Sequence, residues 1–178
     1  AVKNLKGEKT EEQFETTLEL NVNAFIPPTY IPNEFQKLDI YKRIAVIADR
    51  EESEEMMEEL IDRFGEPPRS VENLLAIAQL RAKAHDCYYT EIKENRDKIK
   101  FAFYYQAKIN PANIMQMAEK YEGALTFVRD MKTPYFEYSK DNNTRLKALG
   151  ILEQVEMILN DTRELLVDEN SCEKSVKS

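Results

Sequence analysis

Histidine occurs once and glycine four times in 178 residues, and these two shortages exclude most catalytic readings. A single imidazole, His85, rules out a two-histidine metal site, and no serine or cysteine nucleophile stands at a recognisable elbow for it to activate. Gly7, Gly65, Gly123 and Gly150 cannot be assembled into a GxxxxGK or GxGxxG loop, so no cradle for a nucleotide phosphate is visible, and neither a cofactor nor enzymatic activity is expected of this segment. Cysteine is equally scarce. Cys87 falls at an expected helix end and Cys172 in a polar tail, which is no disulfide framework and suits a reducing compartment. Long apolar runs are missing too: no stretch nears the roughly 18 residues of a membrane span, and the first ten residues have no apolar block of the signal-peptide kind. A cytoplasmic chain without membrane contact is expected. The net charge of −8, from 25 basic and 33 acidic residues, repels a nucleic-acid backbone and favours a protein partner with a basic surface.

What is present is an apolar pattern, 42% of the chain, that changes period several times over a length suited to one domain. Leu18, Leu20, Val22, Ala24 and Ile26 alternate with mostly polar residues, which predicts a half-buried strand within 15–26. Pro27, Pro28 and Pro32 then impose an extended or turning path, with Tyr30 and Ile31 tucked inward. From Asn33, a good N-cap, the spacing becomes helical, and Phe35, Leu38, Tyr41, Ile44 or Ala45, and Ala48 form the expected buried stripe. A second helix capped by Ser53 shows Met56, Met57, Leu60, Ile61 and Phe64, and stops at Gly65 before Pro67 and Pro68. The third, from about Ser70 to His85, is uncharged from Asn73 to Leu80 and reads as the central helix.

Past His85 the period returns to two. Segments 88–92 and 98–105 flank the polar KENRD and predict a hairpin with Ile99, Phe101, Phe103 and Tyr105 on one side. Asn110–Pro111 opens a short helix ending near Tyr121 and Gly123; 124–130 and 133–139 read as strands; Asp141–Thr144 offers caps for a last helix with Leu146, Leu149, Leu152, Val155 and Ile158 or Leu159 inward. The fold class is therefore α+β, a small mixed or antiparallel sheet of about five strands against helices in the order β-α-α-α-β-β-α-β-β-α, with a polar, disordered tail from about 167.

Few residues suggest chemistry. His85 beside Asp86 and Cys87 reads as a helix-end histidine that favours the dipole. Phe101, Phe103, Tyr104 and Tyr105 beside Lys98 and Lys100 imitate an RNA-stacking platform but lack its glycine-containing signature, so core packing is the simpler meaning. DNA contact through that strand, or through Lys37, Lys42 and Arg43, is a further alternative that would show itself by salt dependence. The feature that stands out is a helical cluster of acids, Glu55, Glu58, Glu59 and Asp62, close to a helix C-terminus where carboxylates oppose the macrodipole. Glu59 with Arg63 at i, i+4 is the local explanation; a contact with a basic partner is the functional one.

The motifs around this helix, Ile26-Pro27, Tyr41-Lys42-Arg43-Ile44 and Leu60-Ile61-Asp62-Arg63-Phe64-Gly65 with a proline close behind, resemble the C-terminal domain of the bacterial transcription-repair coupling factor (Mfd) family. The resemblance is specific over roughly residues 1–85, and AVKNLKGE at 1–8 is similar to the end of the family's translocase region. It implies a division into 1–13 as translocase end or linker, 14–166 as a regulatory domain and 167–178 as tail. It also implies a parent that is an ATP-dependent DNA translocase, in which this domain packs on a UvrB-like domain, masks its UvrA-binding surface and restrains translocation. On that resemblance Glu59 and Asp62, with Glu55, Glu58 and Arg63 around them, face arginines of the UvrB-like domain. The competing expectation is a generic acidic interaction domain for RNA polymerase or another repair factor.

Overall fold

The computed structural model describes residues 14–107, 109–140 and 149–167. Within them the elements are β1 (Thr17–Glu19), α1 (Glu34–Ala45), α2 (Arg50–Phe64), α3 (Arg69–Asp86), β2 (Tyr89–Glu94), β3 (Lys98–Phe103), a 3-10 turn (Pro111–Asn113) running into α4 (Ile114–Lys120), β4 (Leu125–Val128), β5 (Tyr135–Ser139) and α5 (Ile151–Leu165). This is the α+β order expected. The sheet runs β1-β2-β3-β5-β4; β1 joins β2 in parallel because three helices separate them, and every other pairing is antiparallel.

Two apolar cores result. The first unites Ile26, Ile31, Ile40, Ile44, Leu60, Val71 and Leu75 under α1, α2 and the start of α3; the second holds Tyr89, Ile92, Ile99, Phe101, Phe103, Phe136, Tyr138, Val155 and Ile158 between the sheet and α5. Helix α3 feeds both, with Val71, Leu75 and Ala78 in one and Leu80 and Ala84 in the other, which makes it the shared beam of the domain.

Several local expectations need correction. The ladder of β1 covers only three residues, although the alternation persists: Leu18, Leu20, Val22 and Ala24 are half-buried and Ile26 is buried. Beyond Leu20 the chain leaves the sheet, and its backbone is held from outside: Phe25 N–H donates to Ser70 O, and Asn73 Nδ2 to Asn23 O. The cap of α2 is Asp49, whose Oδ1 accepts from Glu52 N at 2.9 Å while Glu52 reaches back to Ala48 N; Ser53 lies one turn inside, buried. Tyr105 is 66% exposed, because β3 ends at Phe103 and the strand period ends with it. Along α1 the buried face is rotated from the one expected: of the expected stripe Ile44 is buried, but its buried neighbours are Ile40 and the following Ile47, whereas Phe35 is 86% and Leu38 54% exposed. Ala48 is exposed and lies beyond the helix, and Tyr41 is half-buried, its hydroxyl accepting from Ile26 N at 2.7 Å. The helix carries two apolar stripes, and the proline-bent segment that brings Ile26 and Ile31 inward meets the isoleucine one.

Other expectations hold: Asn33 caps α1 by accepting from Gln36 N, Gly65 ends α2 with φ +86°, and Asn110 caps the turn into α4. Cys87 is buried, its thiol donating to Leu159 O at 3.4 Å. Val167, placed at the start of the tail from sequence, bridges to Ile109. The caps at Asp141–Thr144, Leu146, Cys172, the first 13 residues and the tail from Asp168 onward lie outside the described residues.

Candidate functional site

Helix α2 carries the acidic cluster, and its orientation is set from below and from its end. Leu60 is fully buried and Met56 nearly so, while the hydroxyl of Tyr30 donates to Gly65 O at 2.7 Å and Leu60 O at 3.2 Å, pinning the last turn to the proline segment. The carboxylates then divide into two groups. Glu59 is engaged within the domain: Arg43 of α1 forks onto it at 2.5 and 2.7 Å, and Arg63 adds a third bond at 2.9 Å. Arg63 is thus paired locally, and its guanidinium also lies 4.9 Å from the centre of the Phe64 ring. The hydrogen bonds from Arg43, then those from Arg63, hold the Glu59 carboxyl at about 2 against an ordinary 4.5.

Glu55, Glu58 and Asp62 form the second group. All three are exposed, and among the described residues no cation pairs with them. They share one side of the helix with Glu51, also exposed and unpaired among those residues, at i, i+4, i+7 and i+11, opposite Met56 and Leu60. Glu51 was missed from sequence, where the acids were weighed by their nearness to the helix end; helical spacing counted from Asp62 backward would have found it. Glu52 and Glu54 are diverted, the former to the cap and the latter to Arg50. The result is a row of carboxylates about three turns long, bordered by a Glu59 already shared between two guanidinium groups.

The ion-pair geometry at Glu59 predicts a pH-dependent contribution to stability. A carboxyl depressed in the folded state stabilises fully above its unfolded value near 4.5 and loses that contribution as pH falls through 4.5 toward 2. Because the side chain is 33% exposed, solvent screening reduces the effect to about 1 kcal/mol. Urea unfolding of Glu59→Gln should therefore show a loss of about that size at neutral pH and almost none near pH 2. A constant difference across the range would remove the ion pair from the account.

The remaining candidates are structural in their contacts. The ring of Phe14 stacks on His85 at 4.4 Å and on Tyr104 at 4.6 Å, and Thr16 donates to Tyr89 O at 2.6 Å while its Oγ1 lies 3.2 Å from His85 Nδ1. Of these residues Phe14, Thr16 and His85 border a cavity of about 550 Å³, which Ala45–Ala48 and Arg81 also line. Phe101 and Phe103 are fully buried, Lys98 pairs with Glu137 at 2.8 Å, and Lys100 covers the Tyr135 ring, so that strand offers no open stacking surface. No cluster of three metal-ligating side chains occurs among the described residues, and none of their helices is long and apolar enough to cross a membrane.

Fold and surface together define an α+β domain with a mixed five-stranded sheet whose most distinctive exposed feature is an acidic helix. The family model of the TRCF domain matches residues 20–114, and the transcription-repair-coupling factor of Bacillus subtilis is 34% identical over 124 residues, covering 68% of this chain and 10% of that protein. The chain belongs to the transcription-repair coupling factor family. The Escherichia coli relative is 30% identical over 155 residues, covering 85% of this chain and 12% of its own length. A crystal structure of the C-terminal domain of a transcription-repair coupling factor is similar with a TM-score of 0.69 and 25% identity, covering 85% of this chain and 95% of that one. The chain thus spans about a tenth of the length of these curated relatives, and its fold matches that of the crystallised C-terminal domain.

Proposed function

We propose that this domain is an autoinhibitory latch: the acidic face of α2 docks on arginines of a UvrB-like domain in the same parent chain, hides the surface that UvrA would use, and restrains the parent's translocase. The observation that supports it most directly is the unpaired row formed by Glu55, Glu58 and Asp62, which lies within and just before the LIDRFG segment that resembles the family's contact region. The geometry alters the division of labour expected from sequence. Asp62 and Glu58 are available to incoming guanidinium groups, while Glu59 has three of its acceptor positions filled by Arg43 and Arg63 and contributes mainly by bordering the row. Exposed ion pairs are individually worth little, on the order of 0.2–1 kcal/mol, so a contact made of several is reversible and salt-sensitive, and tethering in one chain lets modest affinity suffice.

The test is a titration of this chain against the isolated UvrB-like domain of its parent at low and moderate salt. Binding should weaken with salt, and Glu58→Arg with Asp62→Arg should weaken it about tenfold or more, while opening the parent and raising its affinity for UvrA. Glu59→Arg is the poorer probe, since it crowds three guanidinium groups and disturbs the helix pair itself. An unchanged affinity in the Glu58/Asp62 variant would refute the latch. It would favour the other partner class, RNA polymerase or another repair factor.

A further inference from the structure

Arg43 reaches a carboxylate of α2 from a different helix. It stands on α1 between Ile40 and Ile44, whose burial turns this side toward the first core, and its guanidinium forks across Glu59, Nη2 onto Oε1 and Nη1 onto Oε2. Arg63 adds its bond to Oε2, so only Oε1 keeps an acceptor position. Arg63, one turn further along the same helix, would neutralise Glu59 by itself. The fork from Arg43 exceeds what charge balance requires and leaves the knot, two guanidinium groups on one carboxylate, with a net positive charge. That charge is not hidden, since the Arg43 and Glu59 side chains are 41% and 33% exposed. On the helix surface Glu59 neighbours Glu55 at i−4 and Asp62 at i+3, so the cationic knot sits against the edge of the unpaired row.

We infer that Arg43 moderates the acidic face: it competes with a partner's guanidinium groups for Glu59 and keeps a positive charge beside Glu55 and Asp62, which lowers the affinity of the row and lets the contact release. The inference rests on the reading of α2 as the face that meets a basic partner, and adds the residue that sets how tightly. An incoming guanidinium finds one acceptor position on Glu59 and two like charges behind it. It is turned toward Glu58 and Asp62, which no cation among the described residues engages. A purely structural pair has a different consequence. Removing either Arg43 or Glu59 undoes the same tie between α1 and α2, so the two losses would act alike on binding. Under moderation they act in opposite directions. Without Arg43 the knot is neutral and Oε1 of Glu59 is freed entirely; without the Glu59 carboxylate, two unopposed guanidinium groups stand beside the row.

The test compares Arg43→Met, which keeps the aliphatic stem, and Glu59→Gln with the unmodified chain. Each is titrated against two probes: the isolated UvrB-like domain of the parent, and a designed helical peptide with arginine at i, i+4, i+7 and i+11, the spacing of the row. At low salt Arg43→Met should bind both probes about threefold more tightly and Glu59→Gln about threefold more weakly, although urea unfolding shows a similar loss of stability in the two. Both differences should shrink as salt rises, because they are electrostatic. Arg63→Met, which leaves the tie between α1 and α2 intact, should shift binding in the same direction as Arg43→Met and replaces it if that variant does not fold. Unchanged or weaker peptide binding in the folded arginine variant overturns the inference, as does a gain that salt does not reduce or a peptide that binds no variant. Opposite shifts with the peptide, together with no binding of the UvrB-like domain at all, would refute the latch and leave the role of Arg43 standing.

Discussion

Phe103→Ala should lower the unfolding free energy by about 3–5 kcal/mol, a large share of what holds a domain of this size together. The ring is fully buried, stacks on Tyr89 at 4.4 Å and meets Phe136 edge-on at 5.7 Å, so its removal strips contacts from the second strand, the third and the fifth at once. The antiparallel pairing of β3 with both β2 and β5 makes it the middle of the sheet, where neighbours cannot move inward to fill the space without breaking register. Urea unfolding followed by far-ultraviolet circular dichroism checks the value. The transition should remain single, because α3 carries side chains of both cores and cannot stay ordered at one end only. A loss below 1 kcal/mol, or two separate transitions, would contradict this account of the packing.

Leu60→Ala should cost about 2–5 kcal/mol, and with it the placement of the acidic row. Leu60 is fully buried beneath α2 on the side opposite Asp62, and Tyr30 donates to its carbonyl oxygen, so the same residue fills the first core and fixes the last turn of the helix. Stability and partner binding should therefore fall together in this variant, whereas Phe103→Ala, at conditions where it remains folded, should leave α2 and its carboxylates in place. Comparing the two variants in the salt-dependent titration separates loss of the presented surface from loss of the fold. If Leu60→Ala bound the UvrB-like domain as tightly as the parent sequence while folded, the backing of α2 would be irrelevant to the contact.

Much of the candidate site was legible without coordinates because it lies on one helix. Spacing alone brings Glu55, Glu58 and Asp62 to one side, and the same spacing names Glu59 and Arg63 as a pair. What spacing cannot see is Arg43, which arrives from another helix 16 residues away and converts Glu59 from a presented acid into a shared one. The stripe on α1 shows the same limit from the other side. Phe35 and Leu38 have the period of a buried face, and no local rule distinguishes them from Ile40 and Ile44, which have it too.

Element order, the caps at Asn33 and Asn110, the stop at Gly65 and the central role of α3 were determined by the chain itself, since each depends on hydrogen bonds and periodicity within a few residues. Strand order, the parallel seat of β1, the phase of α1 and the partition of the carboxylates were decided only in three dimensions. They depend on which of several locally equivalent surfaces meets which, and that is settled by apolar burial and ion pairing between segments far apart in sequence.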